Sequence, residues 1–151
     1  MSPAPVTVER RIKASPETVF AFFTDPGRWL SWMGSTGDFD PRPGGAYRMN
    51  VVGDAVASGR FVEVSPHTRL VFTFGWEAEG DPVPPGSSTV EITLEPDGEE
   101  TVLRLVHRGL PEPARAPHEA GWKHYTDRLA MRAEGRDPGP DRWMEPEDPS
   151  T

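Results

Sequence analysis

The sequence predicts an α+β fold in which a curved antiparallel sheet of about six strands wraps around a long C-terminal helix. Three observations predict it. A strand pattern followed by helix-start residues lies near the N-terminus, segments with period-two alternation begin at residue 46, and one apolar stripe with helical spacing lies within residues 117–133. Because the alternation in the strand segments leaves one face of the sheet solvated, the sheet is expected to be antiparallel.

The N-terminal segment predicts one strand and two short helices. Residues 6–12 place apolar side chains at alternate positions, which is the period of a half-buried strand. Ser15-Pro16-Glu17 then starts a helix, because serine caps free N–H groups, proline fits the first turn and glutamate faces the positive end of the dipole. Asp25-Pro26-Gly27 ends it. A second short helix is predicted from Arg28 to Met33.

Five further strands are predicted as a meander of hairpins separated by Gly, Pro, Asp and Ser. In one of them Val90, Ile92 and Leu94 point to one face while polar residues point to the other, so one face of the sheet is solvated. The covered face is aromatic-rich. The five predicted strands are 46–52, 56–64, 69–76, 88–95 and 101–108.

The C-terminal region predicts a helix and a tail. Trp122, Tyr125, Leu129 and Ala133 follow one another at spacings of three and four, and this stripe is expected to cover the concave face of the sheet. One domain is therefore assigned to residues 6–134, after a flexible N-terminus of residues 1–5. The proline-rich acidic segment 135–151 is expected to be mobile, although Trp143-Met144 within it could pack back on the domain or dock a partner.

Composition excludes several classes of function. A formal net charge of −8 with scattered basic residues disfavours nucleic acid as a partner. The absence of cysteine excludes disulfides, thiolate metal sites and a cysteine nucleophile. No stretch is long and apolar enough to be a membrane span or a signal peptide, so a cytoplasmic protein is expected.

Several short motifs occur in an order that resembles the SRPBCC superfamily, also called START-like or birch-pollen-allergen-like. Within it, the chain is similar to the family of homologues of the activator of the 90-kDa heat-shock protein ATPase. This resemblance covers about residues 6–134 and implies the helix-grip fold, a scaffold shared by ligand binders and polyketide cyclases. The motifs are Ala14–Phe20, Thr24-Asp25-Pro26 with Trp32, Pro43–Tyr47, Gly59–Val64 leading to Arg69–Phe74, Thr101–Leu105 leading to His107, and His118–Trp122 with Leu129.

No catalytic, metal or cofactor motif accompanies this pattern. Gly34-Ser35-Thr36-Gly37 lacks the lysine and spacing of a phosphate-binding loop. His118-Glu119 begins like a zinc-protease motif, but the second histidine is replaced by Trp122. A Gly-x-Ser-x-Gly nucleophile elbow is absent. The sequence therefore predicts no catalytic residue, no metal ligand and no cofactor.

The covered face of the sheet and the helix predict an apolar cavity of roughly 300–1,000 Å³ between them. His107 lies on that face and has three readings: a structural histidine, a polar contact to a ligand, or a general acid–base. Tyr47 and Tyr125 have the same ambiguity, since a buried phenol normally has a hydrogen-bond partner that need not be a substrate. The candidate cavity residues are Trp32, Phe39, Tyr47, Met49, Phe72, Phe74, Trp76, Leu105, His107, Trp122, Tyr125 and Leu129.

Three functions follow as hypotheses. The first is a binder that encloses a small hydrophobic, aromatic or lipid-like molecule and performs little or no catalysis. The second, implied by the resemblance, is a polyketide cyclase-like (cyclase/aromatase-like) enzyme that uses the same cavity, with His107 and Tyr47 as the first candidates for proton transfer. The third is a chaperone-accessory or other interaction domain. A monomer or a homodimer is expected.

Overall fold

The computed structural model describes residues 4–141, which form seven strands and three helices. The strands are β1 (Val6–Ile12), β2 (Thr36–Phe39), β3 (Ala46–Val52), β4 (Ala55–Ser65), β5 (Arg69–Trp76), β6 (Ser88–Asp97) and β7 (Glu100–Arg108). The helices are α1 (Pro16–Thr24), α2 (Pro26–Trp29) and α3 (Glu112–Ala133). The predicted α+β helix-grip architecture is confirmed.

The strands form one antiparallel sheet in the order β1-β7-β6-β5-β4-β3-β2. Val8, Leu105, Ile92 and Leu70 lie opposite one another on successive strands and are all buried, so the covered face is continuous from β1 to β5. Register shifts, as β-bulges or similar irregularities produce, interrupt the regular pairing of β3 with β4 and of β4 with β5.

The sheet contains one strand more than the sequence predicted. This strand, β2, consists of Thr36-Gly37-Asp38-Phe39 and pairs with β3 at the edge of the sheet. Glycine and aspartate are depleted in strands, so its pattern resembled a loop. Strand formation here depends on hydrogen bonds to β3 and is not visible in the local sequence.

Side-chain caps set the beginnings of α1 and α2. The Ser15 hydroxyl accepts a hydrogen bond from the N–H of Thr18 (3.2 Å), and the Asp25 carboxylate accepts one from the N–H of Arg28 (3.2 Å). Helix α2 therefore begins at Pro26, two residues before the predicted start, and the predicted helical residues up to Met33 continue as a turn.

Helix α3 begins at Glu112, five residues before the segment that the sequence predicted. Pro113 is tolerated in the first turn, because the N–H groups there have no hydrogen-bond partner within the helix. The helix packs against β1 and α1. Arg10 of β1 donates to the carbonyl of Lys123 (3.2 Å) and pairs with Asp127 (2.9 Å), while Leu129 is fully buried. The core therefore lies between the covered face of the sheet and α3.

The first residues after α3 lie along that helix. Arg128 donates to the carbonyl of Gly139 (2.9 Å), and Asp141 accepts hydrogen bonds from two side chains of α3. The tail was expected to be mobile, and these contacts show how its beginning is attached. Trp143-Met144 lies outside the described residues. None of the helices between residues 4 and 141 has the length and apolar character needed to cross a membrane.

Candidate functional site

A cavity of about 280 Å³ lies between the β3–β4 hairpin, the end of β5 and the N-terminal half of α3. Its buried end is formed by large side chains such as Phe74 and Trp122, and exposed residues, Ala78 and Pro117, mark where it reaches the surface. The lining residues are Met33, Val51, Val52, Ala55, Val56, Phe74, Trp76, Ala78, Asp81, Pro117, His118, Gly121, Trp122 and Tyr125.

Five rings form the buried end of this cavity and the layer behind it, and we call them the Phe74 cluster: Phe74, Trp76, His107, His118 and Trp122. Each of the other four rings contacts Phe74, with centroids 5.3 to 6.4 Å away and steep angles between the ring planes. Such edge-to-face pairs stabilise beyond the area that they bury. The cluster therefore gives the cavity an aromatic wall.

His107 lies behind that wall and is fully hydrogen-bonded. The indole N–H of Trp122 donates to its Nδ1 (2.9 Å), so Nδ1 carries no proton and Nε2–H donates to Ser88 Oγ (2.8 Å). The Ser88 hydroxyl in turn donates to the carbonyl of Phe74 (2.6 Å). Burial, with a smaller effect of His118, lowers the pKa of His107 from 6.5 to about 3. His107 is thus a neutral structural group in this arrangement.

His118 lines the cavity and makes a second pair of the same kind. Its Nδ1–H donates to the carbonyl of Ala114 (2.8 Å), because a carbonyl oxygen can only accept, and its Nε2 accepts from the indole N–H of Trp76 (3.0 Å). Both ring nitrogens are therefore occupied. A ligand that needs His118 as donor or acceptor must displace one of these two bonds.

Tyr125 closes the cavity on the side of the C-terminal segment. Its hydroxyl donates to the Asp141 carboxylate (2.7 Å), which also contacts Nε2 of His124 (2.8 Å). Burial, together with the Asp141 carboxylate, raises the pKa of Tyr125. Tyr125 therefore lines the cavity, while its hydroxyl is hydrogen-bonded to Asp141.

Two residues that disfavour helices line the cavity from the interior of α3. Pro117 removes one backbone donor, and Gly121 lowers helix propensity by about 1 kcal/mol relative to alanine. A Cβ atom at Gly121 would meet nothing within 4 Å outside its own helix, so no close packing in the protein requires glycine there. The missing side chain leaves space on the cavity side of the helix.

The cavity offers little to a metal ion. Within residues 4–141 no group of three or more His, Asp or Glu side chains could hold one. Asp81 is the one carboxylate among the described lining residues.

Residues 13–134 match the family model described as Activator of Hsp90 ATPase homolog 1-like protein. The chain belongs to this family. Its fold and the resemblance in its motifs place it in the SRPBCC superfamily, as the sequence indicated. No curated protein matches this chain significantly.

Solved structures similar to this chain include one protein described as AHSA1-like. An AHSA1-like protein from Rhizobium etli is 46% identical, with 98% of this chain and 96% of that one covered and a TM-score of 0.70. A protein from Chromobacterium violaceum is 27% identical, with coverages of 92% and 99% and a TM-score of 0.77. DynU16, from the dynemicin biosynthetic locus, is 26% identical, with coverages of 89% and 49% and a TM-score of 0.77.

The candidate residues from the sequence divide between four places. Phe74, Trp76, Trp122 and Tyr125 line the cavity, and His107 lies behind Trp122. Trp32, Phe39, Tyr47 and Phe72 instead belong to a second aromatic cluster centred on Trp29, away from the cavity lining. The hydroxyl of Tyr47 there donates to the carbonyl of Thr73 (2.7 Å). Met49, Leu105 and Leu129 are core residues that do not line the cavity.

Several lining residues were not among the sequence candidates. The β3–β4 hairpin contributes Val51, Val52, Ala55 and Val56, where consecutive apolar residues interrupt the alternation expected of a half-solvated hairpin. That interruption was an available signal. The sequence contains no such signal for Asp81, because this residue lies in a loop whose position near the cavity depends on the whole fold.

Proposed function

We propose that this chain binds a small hydrophobic molecule in the cavity between the β3–β4 hairpin and α3. The observation that carries the proposal is the apolar and aromatic lining of a space of about 280 Å³. A dry apolar cavity of about 150 Å³ in another protein admits benzene, while sites for drug-sized ligands begin at roughly 300 Å³. The cavity therefore suits a molecule of two fused rings or a short branched chain.

Enclosure explains the site better than catalysis does. A general acid or base must present a nitrogen or oxygen to the substrate, but both ring nitrogens of His107 and His118 are engaged within the protein. The Tyr125 hydroxyl is likewise engaged by Asp141. A polyketide cyclase-like reaction would need one of these bonds to open first. No observation on the described residues favours a chaperone-accessory role.

Gly121→Leu should abolish or strongly weaken binding without destabilising the protein. The added side chain enters space that the protein leaves empty, and overfilling a site costs about 1–3 kcal/mol, so affinity should fall at least about tenfold. Stability should be unchanged or rise by up to about 1 kcal/mol, because leucine favours helix over glycine. The measurement is a thermal-shift screen of neutral aromatic compounds of one to three rings and medium-chain alcohols, followed by calorimetric titration.

Ala120→Leu is the matched control, because Ala120 is the exposed neighbour of Gly121 on α3 and does not line the cavity. It should leave ligand affinity unchanged. Saturating ligand at 100 times Kd adds about 2.7 kcal/mol of stability, a clear shift of the melting temperature. The proposal fails if no compound shifts the melt of the unmodified protein, or if both variants bind as it does.

A further inference from the structure

We propose that the cavity selects ligands that carry a cationic group, such as a protonated amine on an aromatic body, and that Asp81 is the residue that recognises it. This inference rests on the proposed function and names the ligand class. Asp81 is the one charged side chain among the described residues of the lining, and no lysine or arginine belongs to it. An anionic ligand would find no countercharge there, whereas an ammonium group would.

Asp81 is partly buried and the surrounding loop holds it in place. Its Oδ1 accepts a hydrogen bond from the N–H of Val83 (2.8 Å), and its own N–H donates to the carbonyl of Ala78 (3.2 Å). Val83 is buried and its carbonyl accepts from the N–H of Trp76 (2.7 Å), which ties the loop to the cavity wall. The carboxylate is thus pre-positioned, which lowers the ordering cost of binding.

The second oxygen of Asp81, Oδ2, has no hydrogen-bond partner among the described residues. In the described part of the chain, the Val83 bond is the one hydrogen bond that its side chain accepts, and no lysine, arginine or histidine pairs with it. An ammonium group that donates to Oδ2 would make a charge-assisted hydrogen bond, which is about twice as strong as a neutral one.

The rest of the wall suits a cation. Phe74, Trp76, Trp122 and Tyr125 line the same space, and the faces of aromatic rings attract ammonium groups, tryptophan most strongly. His118 adds no positive charge in its observed hydrogen-bonded form, because its Nε2 accepts from Trp76. Aromatic faces with one carboxylate form the combination that amine recognition requires.

The two loops at the mouth reinforce this selection. Residues 51–56 and 76–87 contain Asp54, Glu77, Glu79 and Asp81 but no lysine or arginine. Glu77 is neutralised by Arg48 (2.9 Å), and the other three have no ion pair among the described residues. Together with the net charge of −8, these carboxylates create a negative electrostatic potential, which concentrates cations at the mouth and repels carboxylates.

Three probes that share a naphthalene ring test the inference: 2-(1-naphthyl)ethylamine, 2-(1-naphthyl)ethanol and the carboxylate 1-naphthaleneacetate. Calorimetric titration of the full chain at neutral pH and low salt should show the amine binding about tenfold more tightly than the alcohol, and the acetate binding most weakly. Asp81→Asn keeps the Val83 hydrogen bond but removes the charge, so the amine should then bind no more tightly than the alcohol. Raised salt should reduce the preference.

Glu79→Gln is the matched control, because it changes the net charge equally on the same loop, at an exposed position outside the lining. It should preserve most of the preference for the amine. Equal binding of the amine and alcohol to the unmodified protein overturns this inference alone, and so does an equal loss of preference in both variants. Binding by none of the three probes would contradict the proposed function as well.

Discussion

Trp122→Ala should lower the free energy of unfolding by about 3–5 kcal/mol, the range for truncating a buried tryptophan. The ring is 3% exposed and contacts both Phe74 and His107, with centroids 5.7 and 6.0 Å away. Its removal also leaves Nδ1 of His107 without a donor in a buried site, which adds a desolvation penalty. Urea denaturation monitored by circular dichroism measures the change.

Trp76→Ala is the matched control for this prediction. Trp76 is also a ring neighbour of Phe74 and also donates to a histidine, but it is only partly buried. Its truncation should therefore cost clearly less than that of Trp122. Trp122→Phe separates packing from hydrogen bonding, because it keeps most of the ring area and loses the indole N–H; we expect a loss of about 1–3 kcal/mol. A loss below about 1 kcal/mol for Trp122→Ala would contradict the burial of this ring.

Most of the fold could be predicted from hydrophobic periodicity, and the exceptions have local causes. The run 88–95 alternates without interruption, and β6 forms there because its buried positions need one covered face. Thr36–Phe39 contains glycine and aspartate, so the propensity of β2 is low and its hydrogen bonds to β3 determine its structure. The start of α3 was predicted too late because its apolar stripe lies within residues 117–133, whereas the helix already begins at Glu112, with Pro113 in a first turn that tolerates proline.

The site was less predictable, because facing the covered side of a sheet does not mean facing a cavity. Tyr47 and Phe72 point to that side, as the alternation predicted, but their rings pack on Trp29 and Phe61 and fill the space. Which aromatic residues fill a core and which line a void depends on the volumes of all their neighbours. Gly121 illustrates the limit: the sequence identified it within a motif, but only the structure shows that its missing side chain opens space.

Acid should destabilise this protein through His107 as the pH falls below about 6.5. Burial lowers the pKa of His107 from 6.5 to about 3 in the folded state, so between these values the unfolded chain binds a proton that the folded chain does not. Stability contributed by the neutral ring is present above about pH 6.5 and is lost as the pH falls towards about 3. Between about pH 7.5 and about pH 5 the expected loss from this residue is about 2 kcal/mol.

His107→Gln isolates that loss, because a neutral amide offers one donor to Ser88 and one acceptor to Trp122 but does not titrate. Its stability should be lower at neutral pH and should depend less on pH between about 7.5 and about 5, measured by urea denaturation of both proteins at each pH. The window avoids Glu77 and Glu134, whose pKa values are lowered by hydrogen bonds from Arg48 and from the backbone N–H of Lys13 and which lose their contribution only at lower pH. The other histidines are the same in both proteins, so the comparison assigns the difference between the two slopes to His107. Protonation of Nδ1 would break the hydrogen bond from the Trp122 indole N–H. Equal slopes would contradict the prediction, because they would mean that the buried ring accepts a proton without cost.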